Sequence, residues 1–84
     1  MAKKRDTYLY ELKDGNTIVY YGISNGPADR IEEHERSRKK FTHMRVIRRP
    51  MYRENAEKVE TEYIQKYQRQ HGGKPPKYNI YKTY

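Results

Sequence analysis

Alternation of apolar and polar positions opens the chain. From Thr7 to Lys13, Tyr8, Tyr10 and Leu12 fall on one side of an extended strand; Leu9, Glu11 and Lys13 fall on the other. Asp14-Gly15-Asn16 is a turn triplet, and Thr17 to Ile23 is again rich in β-branched and aromatic residues. The two runs predict a β-hairpin, ended by Ser24-Asn25-Gly26. Its register stays open at this level. A three-residue loop (Asp14, Gly15, Asn16) sets Tyr10 opposite Tyr20 with both rings on one face. A two-residue loop pairs Tyr10 with Tyr21 and turns Tyr20 away.

The period then changes. Pro27 suits the first turn of a helix. Asp29, Glu32, Glu33 and Glu35 come early, Arg36, Arg38, Lys39 and Lys40 late, as a helix dipole favours. The spacing predicts a helix from Pro27 to about Lys39, with Pro27, Arg30, Ile31, His34 and Arg38 sharing a face. Met44 to Arg48 reads as a third strand stopped by Pro50. Glu54-Asn55 is the expected cap of a longer helix, Ala56 to about Gln70, with Ala56, Val59, Tyr63, Ile64 and Tyr67 as its apolar stripe. His71-Gly72-Gly73 stops that helix. The tail from Tyr78 to Tyr84 is expected to pack back on the domain. The order is β-β-α-β-α, an α+β fold with a small three-stranded antiparallel sheet flanked by helices.

Composition narrows the function. The 84 residues carry 19 Lys+Arg against 11 Asp+Glu, a net charge of +8, and no cysteine. That predicts one domain over residues 1–84, with 1–6 as a basic arm, and no disulfide framework. No apolar run is long enough for a membrane span, and the basic start has no apolar segment behind it, so a cytoplasmic location is expected. Only 33% of the chain is hydrophobic, yet ten residues are tyrosines, whose rings bury apolar area while the hydroxyl stays polar. A folded domain with a polyanionic partner follows.

Three features carry chemistry. Glu60 shares the long helix's apolar stripe, where a carboxylate needs a cation or several donors; an ion pair with an arginine or a Mg²⁺ site both fit. Arg30 and His34 are one turn apart beside Ile31, which suits either a solvated edge or an anion such as a phosphodiester. Between Arg36 and Arg49 stand Arg36, Arg38, Lys39, Lys40, Arg45, Arg48 and Arg49, with no acid among them. That stretch is the expected phosphate-contacting patch.

Tyr8-Leu9-Tyr10 followed by Val19-Tyr20-Tyr21-Gly22 resembles the GIY-YIG nuclease superfamily, whose two tyrosine-bearing segments lie on paired strands. Arg30, His34, Glu60 and Tyr78-Asn79-Ile80 follow at positions similar to that family's arginine, histidine, glutamate and Tyr-Asn. The likeness runs from Tyr8 to Ile80. Tyr8 departs from the family's usual glycine, and Tyr21 from its aliphatic middle residue. The resemblance implies a stand-alone metal-dependent endonuclease that hydrolyses DNA, with Mg²⁺ or Mn²⁺ on Glu60 and the scissile phosphate on Arg30. It further implies that Tyr10 or Tyr20 activates water, that His34 assists with phosphate or proton, and that Asn79 holds the site in shape. It requires both tyrosines to face the site, which favours the three-residue loop. No nucleotide cofactor is expected. DNA is the expected partner, and RNA stays open because phosphate contacts do not separate the two. Specificity would then come from DNA shape, a homodimer or a partner chain. A non-catalytic nucleic-acid-binding module is the competing reading, and it leaves Glu60 without a purpose.

Overall fold

The computed structural model describes residues 4–79; Met1 to Lys3 and Ile80 to Tyr84 lie outside the described residues, including the last position of the Tyr78-Asn79-Ile80 match. The fold is α+β: β1 (Tyr8–Asp14), β2 (Thr17–Ser24), α1 (Pro27–Arg36), β3 (His43–Val46) and α2 (Arg53–Gln70). The sheet is antiparallel with order β2-β1-β3. β1 is therefore central, and Leu9, Tyr10, Glu11 and Leu12 are all buried, whichever face they are on.

Neither expected hairpin register holds. Asp14 pairs with Thr17 around a two-residue loop, Gly15-Asn16, with Gly15 at φ +63°. The ladder then slips by one between Leu12 and Lys13. Past this bulge Leu12 faces Tyr20 and Tyr10 faces Gly22. The extra residue, Val19, joins the buried cluster of Tyr10 and Leu12, against which Tyr20, Phe41, Met44 and Tyr78 pack. A bulge thus does what a longer loop was expected to do, because one added residue restores the side-chain parity that a two-residue turn would break. Tyr10 and Tyr20 share a face.

The opposite face belongs to α2. Tyr21 meets Tyr63 edge-on with ring centroids 5.6 Å apart, and Ala56 is fully buried. The helix starts earlier than expected. Tyr52 is its N-cap, and Glu54 and Asn55 lie within the first turn. It ends as expected: Gly72 (φ +66°) and Gly73 (φ +87°) turn the chain, and Gly73 N–H donates to the Gln68 carbonyl at 2.7 Å.

α1 stops at Arg36, three residues short of the expected Lys39. Arg38 adopts φ +63°, and Lys39 N–H donates to the His34 carbonyl. Arg38 therefore leaves the face it was expected to share with Arg30 and His34. β3 covers His43–Val46 rather than Met44 to Arg48. Past the intervening loop, Thr7 and Met51 rejoin the ladder through two backbone hydrogen bonds of 3.0 and 2.8 Å. Tyr78 and Asn79 return along the outer edge of β2: Tyr78 N–H donates to the Val19 carbonyl at 2.8 Å. Edge groups that would otherwise be open to another strand are covered in this way. Among the described residues no helix is long and apolar enough to cross a membrane.

Candidate active site

Gly22 makes room for two tyrosine rings. A Cβ at this position would lie 2.6 Å from the Tyr10 hydroxyl oxygen and 2.6 Å from Cε2 of Tyr20. Tyr10 can cross over its strand partner only because that partner has no side chain. The two ring centroids are 6.1 Å apart. His34, the one buried residue of α1, inserts its imidazole 4.9 Å from Tyr20 and 5.8 Å from Tyr10. Its Nε2 shares a 2.7 Å hydrogen bond with the Tyr10 hydroxyl.

These three rings form one wall of an open cleft of about 630 Å³. Arg30 joins them from the first half of α1, and Glu60 from α2; Arg53, Glu57 and Thr61 line the same α2 side. Ile23 completes the rim. Tyr10 and Ile23 have opposite parity on the sheet, so the cleft wraps over the β2 edge and reaches helices on both faces.

Its electrostatics are mixed. Arg30 is half exposed and ion-paired to Glu33 one turn on, which raises its already high pKa. Burial pushes the Tyr10 phenol well above its ordinary value, and the adjacent Tyr20 adds to this; Arg30 pulls the other way. Tyr10 is accordingly a neutral hydroxyl in this state. Glu60 is 9% exposed at the cleft wall. Among the described residues no three His, Cys, Asp or Glu side chains gather in a cage for a metal.

The remaining expected residues lie elsewhere. Asn79 is buried and does not line the cleft. Its side chain imitates a strand, accepting from Tyr21 N–H at 2.8 Å and donating to the Tyr21 carbonyl at 2.9 Å. It clamps β2 at Tyr21, the residue after Tyr20. None of the seven basic residues from Arg36 to Arg49 lines the cleft. Arg36 is paired with Glu32 at 3.2 Å. Arg45 pairs with buried Glu11 on the sheet face opposite Tyr10, also at 3.2 Å. Lys39 comes nearest, its Nζ 5.6 Å from the Tyr20 ring centroid and 6.0 Å from that of Tyr78. Lys40, Arg38, Arg48 and Arg49 are exposed.

Arg53 escaped the sequence reading. It is seven residues before Glu60, with Glu57 between them, a spacing that aligns all three on one helical face. Starting the helix at Ala56 hid that signal. Neither protein-family models, nor curated proteins, nor solved structures give a significant match to this chain.

Proposed function

We propose that this chain is a metal-dependent endonuclease that hydrolyses phosphodiester bonds of DNA. One observation carries the reading: Tyr10, Tyr20, Arg30, His34 and Glu60, scattered over fifty residues of sequence, meet in a single cleft. A module that only binds nucleic acid has no use for a carboxylate on the wall that a phosphate would approach.

A hard divalent ion suits the donor set. Glu60, with Glu57 one turn before it, offers only carboxylate oxygen, and Mg²⁺ takes one or two carboxylates and draws its other ligands from water and substrate phosphate. When bound, Mg²⁺ or Mn²⁺ would supply positive charge to the phosphate and acidify water. Arg30 would exchange Glu33 for a phosphate oxygen and stabilise charge that grows in the transition state, typically the largest catalytic contribution. Tyr10, kept protonated by burial, is suited to donating or relaying a hydrogen bond with His34 rather than to acting as base. Tyr20, half-buried at the cleft, is then the better placed tyrosine for orienting water.

The test is cleavage of plasmid and branched DNA with Mg²⁺, Mn²⁺ or chelator, alongside Glu60→Ala and Arg30→Ala. Metal-dependent cutting that disappears in both variants is expected. A wild type that binds DNA but cuts no substrate would instead identify a binding module.

A further inference from the structure

A second concavity, of about 380 Å³, lies further along α2. Tyr21, Tyr63 and Tyr67 line it, with Lys66, Gln70 and His71. Its chemistry differs from the cleft's: among the described residues no acidic side chain lines it. Tyr67 and His71 are stacked with centroids 3.7 Å apart and planes 6° from parallel. His71 Nδ1 donates to the Tyr67 carbonyl at 2.8 Å, which fixes the ring and leaves Nε2 as an acceptor when the imidazole is neutral. Tyr63 and Tyr67 are only half-buried, and His71, stacked on one face of Tyr67, is exposed.

We infer that this hollow is a stacking subsite for an unpaired nucleobase of a strand whose backbone continues into the cleft. Aromatic faces accept any base, Gln70 and His71 offer hydrogen bonds to a base edge, and Lys66 can meet the phosphate beside it. The geometry ties the two sites together. Glu57, on the cleft, and Tyr67, in the hollow, are ten residues apart on one helix, about 15 Å, or roughly four nucleotides at stacked spacing. A double helix is too stiff to place a base there, whereas a single-stranded flap or overhang bends freely. The inference rests on the nuclease reading for the direction of the strand but not for the subsite itself. It names the substrate class as DNA with a single-stranded stretch.

The test is binding by the full chain in chelator, where no metal-dependent cutting occurs. The probes are a 2-aminopurine-labelled single-stranded oligonucleotide, its blunt duplex and adenosine monophosphate. Wild type should bind the single strand more tightly than the duplex and quench the fluorophore. His71→Ala, at an exposed position, and Tyr67→Leu, which keeps apolar volume, should each weaken single-strand binding at least about fivefold and abolish quenching, as loss of a stacking contact does. Unchanged single-strand affinity in both variants overturns the subsite. So does adenosine monophosphate binding as tightly as the strand, which would make the hollow a free-nucleotide site. Cleavage without stacking would remove this inference and leave the nuclease; stacking without cleavage would do the reverse.

Discussion

The two helices hold the cleft in opposite ways. α1 has ten residues and buries one side chain, His34; its other polar groups form exposed pairs such as Arg30–Glu33 and Arg36–Glu32. α2 has eighteen residues and buries two side chains, Ala56 against the sheet and Glu60 at the cleft wall, with Tyr63 set on Tyr21 one turn past Glu60. Thus the one side chain that α1 buries is also a ring it brings to the cleft, while α2 has apolar contacts, through Ala56 and Tyr63, besides the carboxylate it brings. Function and stability should part company on α2 and coincide on α1.

Substituting the two cleft residues breaks or keeps this contrast directly. Glu60→Gln is isosteric and should lower metal-dependent cleavage at least about a hundredfold, with the urea midpoint little changed. His34→Ala should lose cleavage as well, and also about 2–3 kcal/mol of stability, because it opens a cavity and removes the Tyr10 hydroxyl's partner. Equal stability losses in the two variants would refute the contrast.

Gly22→Ala probes what both helices depend on, the space shared by Tyr10 and Tyr20. Tyr10 is 2% exposed and cannot swing out, so about 1–3 kcal/mol should be lost in chemical denaturation. A stable Gly22→Ala with unchanged tyrosine fluorescence would mean that the rings are not held over this glycine.

The helix ends sharpen the comparison at smaller scale. Both close on a bond from the second residue past the cap to the third-last turn carbonyl, Gly73 to Gln68 and Lys39 to His34. α2 places Gly72 in the left-handed position and α1 places Arg38 there. Arg38→Gly should therefore stabilise the fold by about 0.5–1 kcal/mol, and a thermal shift upward checks it.

The last effect shows only in alkali. Burial, and after it Glu11, push the Tyr21 phenol up to about 12. Below pH 10 this tyrosine is protonated in both the folded and the unfolded chain. Between pH 10 and 12 the unfolded chain sheds the proton first, so stability falls with rising pH. Tyr21→Phe should flatten that fall; an unchanged slope in urea midpoints between pH 9 and 11 would show that Tyr21 does not contribute.

Much of this was legible in one dimension. Strand alternation, the Pro27 start, the Gly72-Gly73 stop and the stripe through Ala56 and Tyr63 are local signals, because backbone geometry and helical spacing act over a few residues. Arg30, His34 and Glu60 stood out for a related reason: each is a polar group on a face that should be apolar. The hairpin register did not follow from the turn, since a bulge three residues into β2 outweighs it. Nor did the basic run from Arg36 to Arg49 reveal that its members would scatter to Glu32, Glu11, Tyr20 and solvent.

The chain alone thus determined which elements form and which residue types are out of place on them, since both follow from spacing. Only the tertiary structure decided that Tyr10 and Tyr20 share a face and that Asn79 clamps β2 from behind instead of entering the cleft. Those outcomes depend on one-residue register and on contacts between segments up to 58 positions apart. Spacing along a strand or helix cannot encode them, because they exist only once the sheet edge, the two helices and the returning C-terminal segment are packed together.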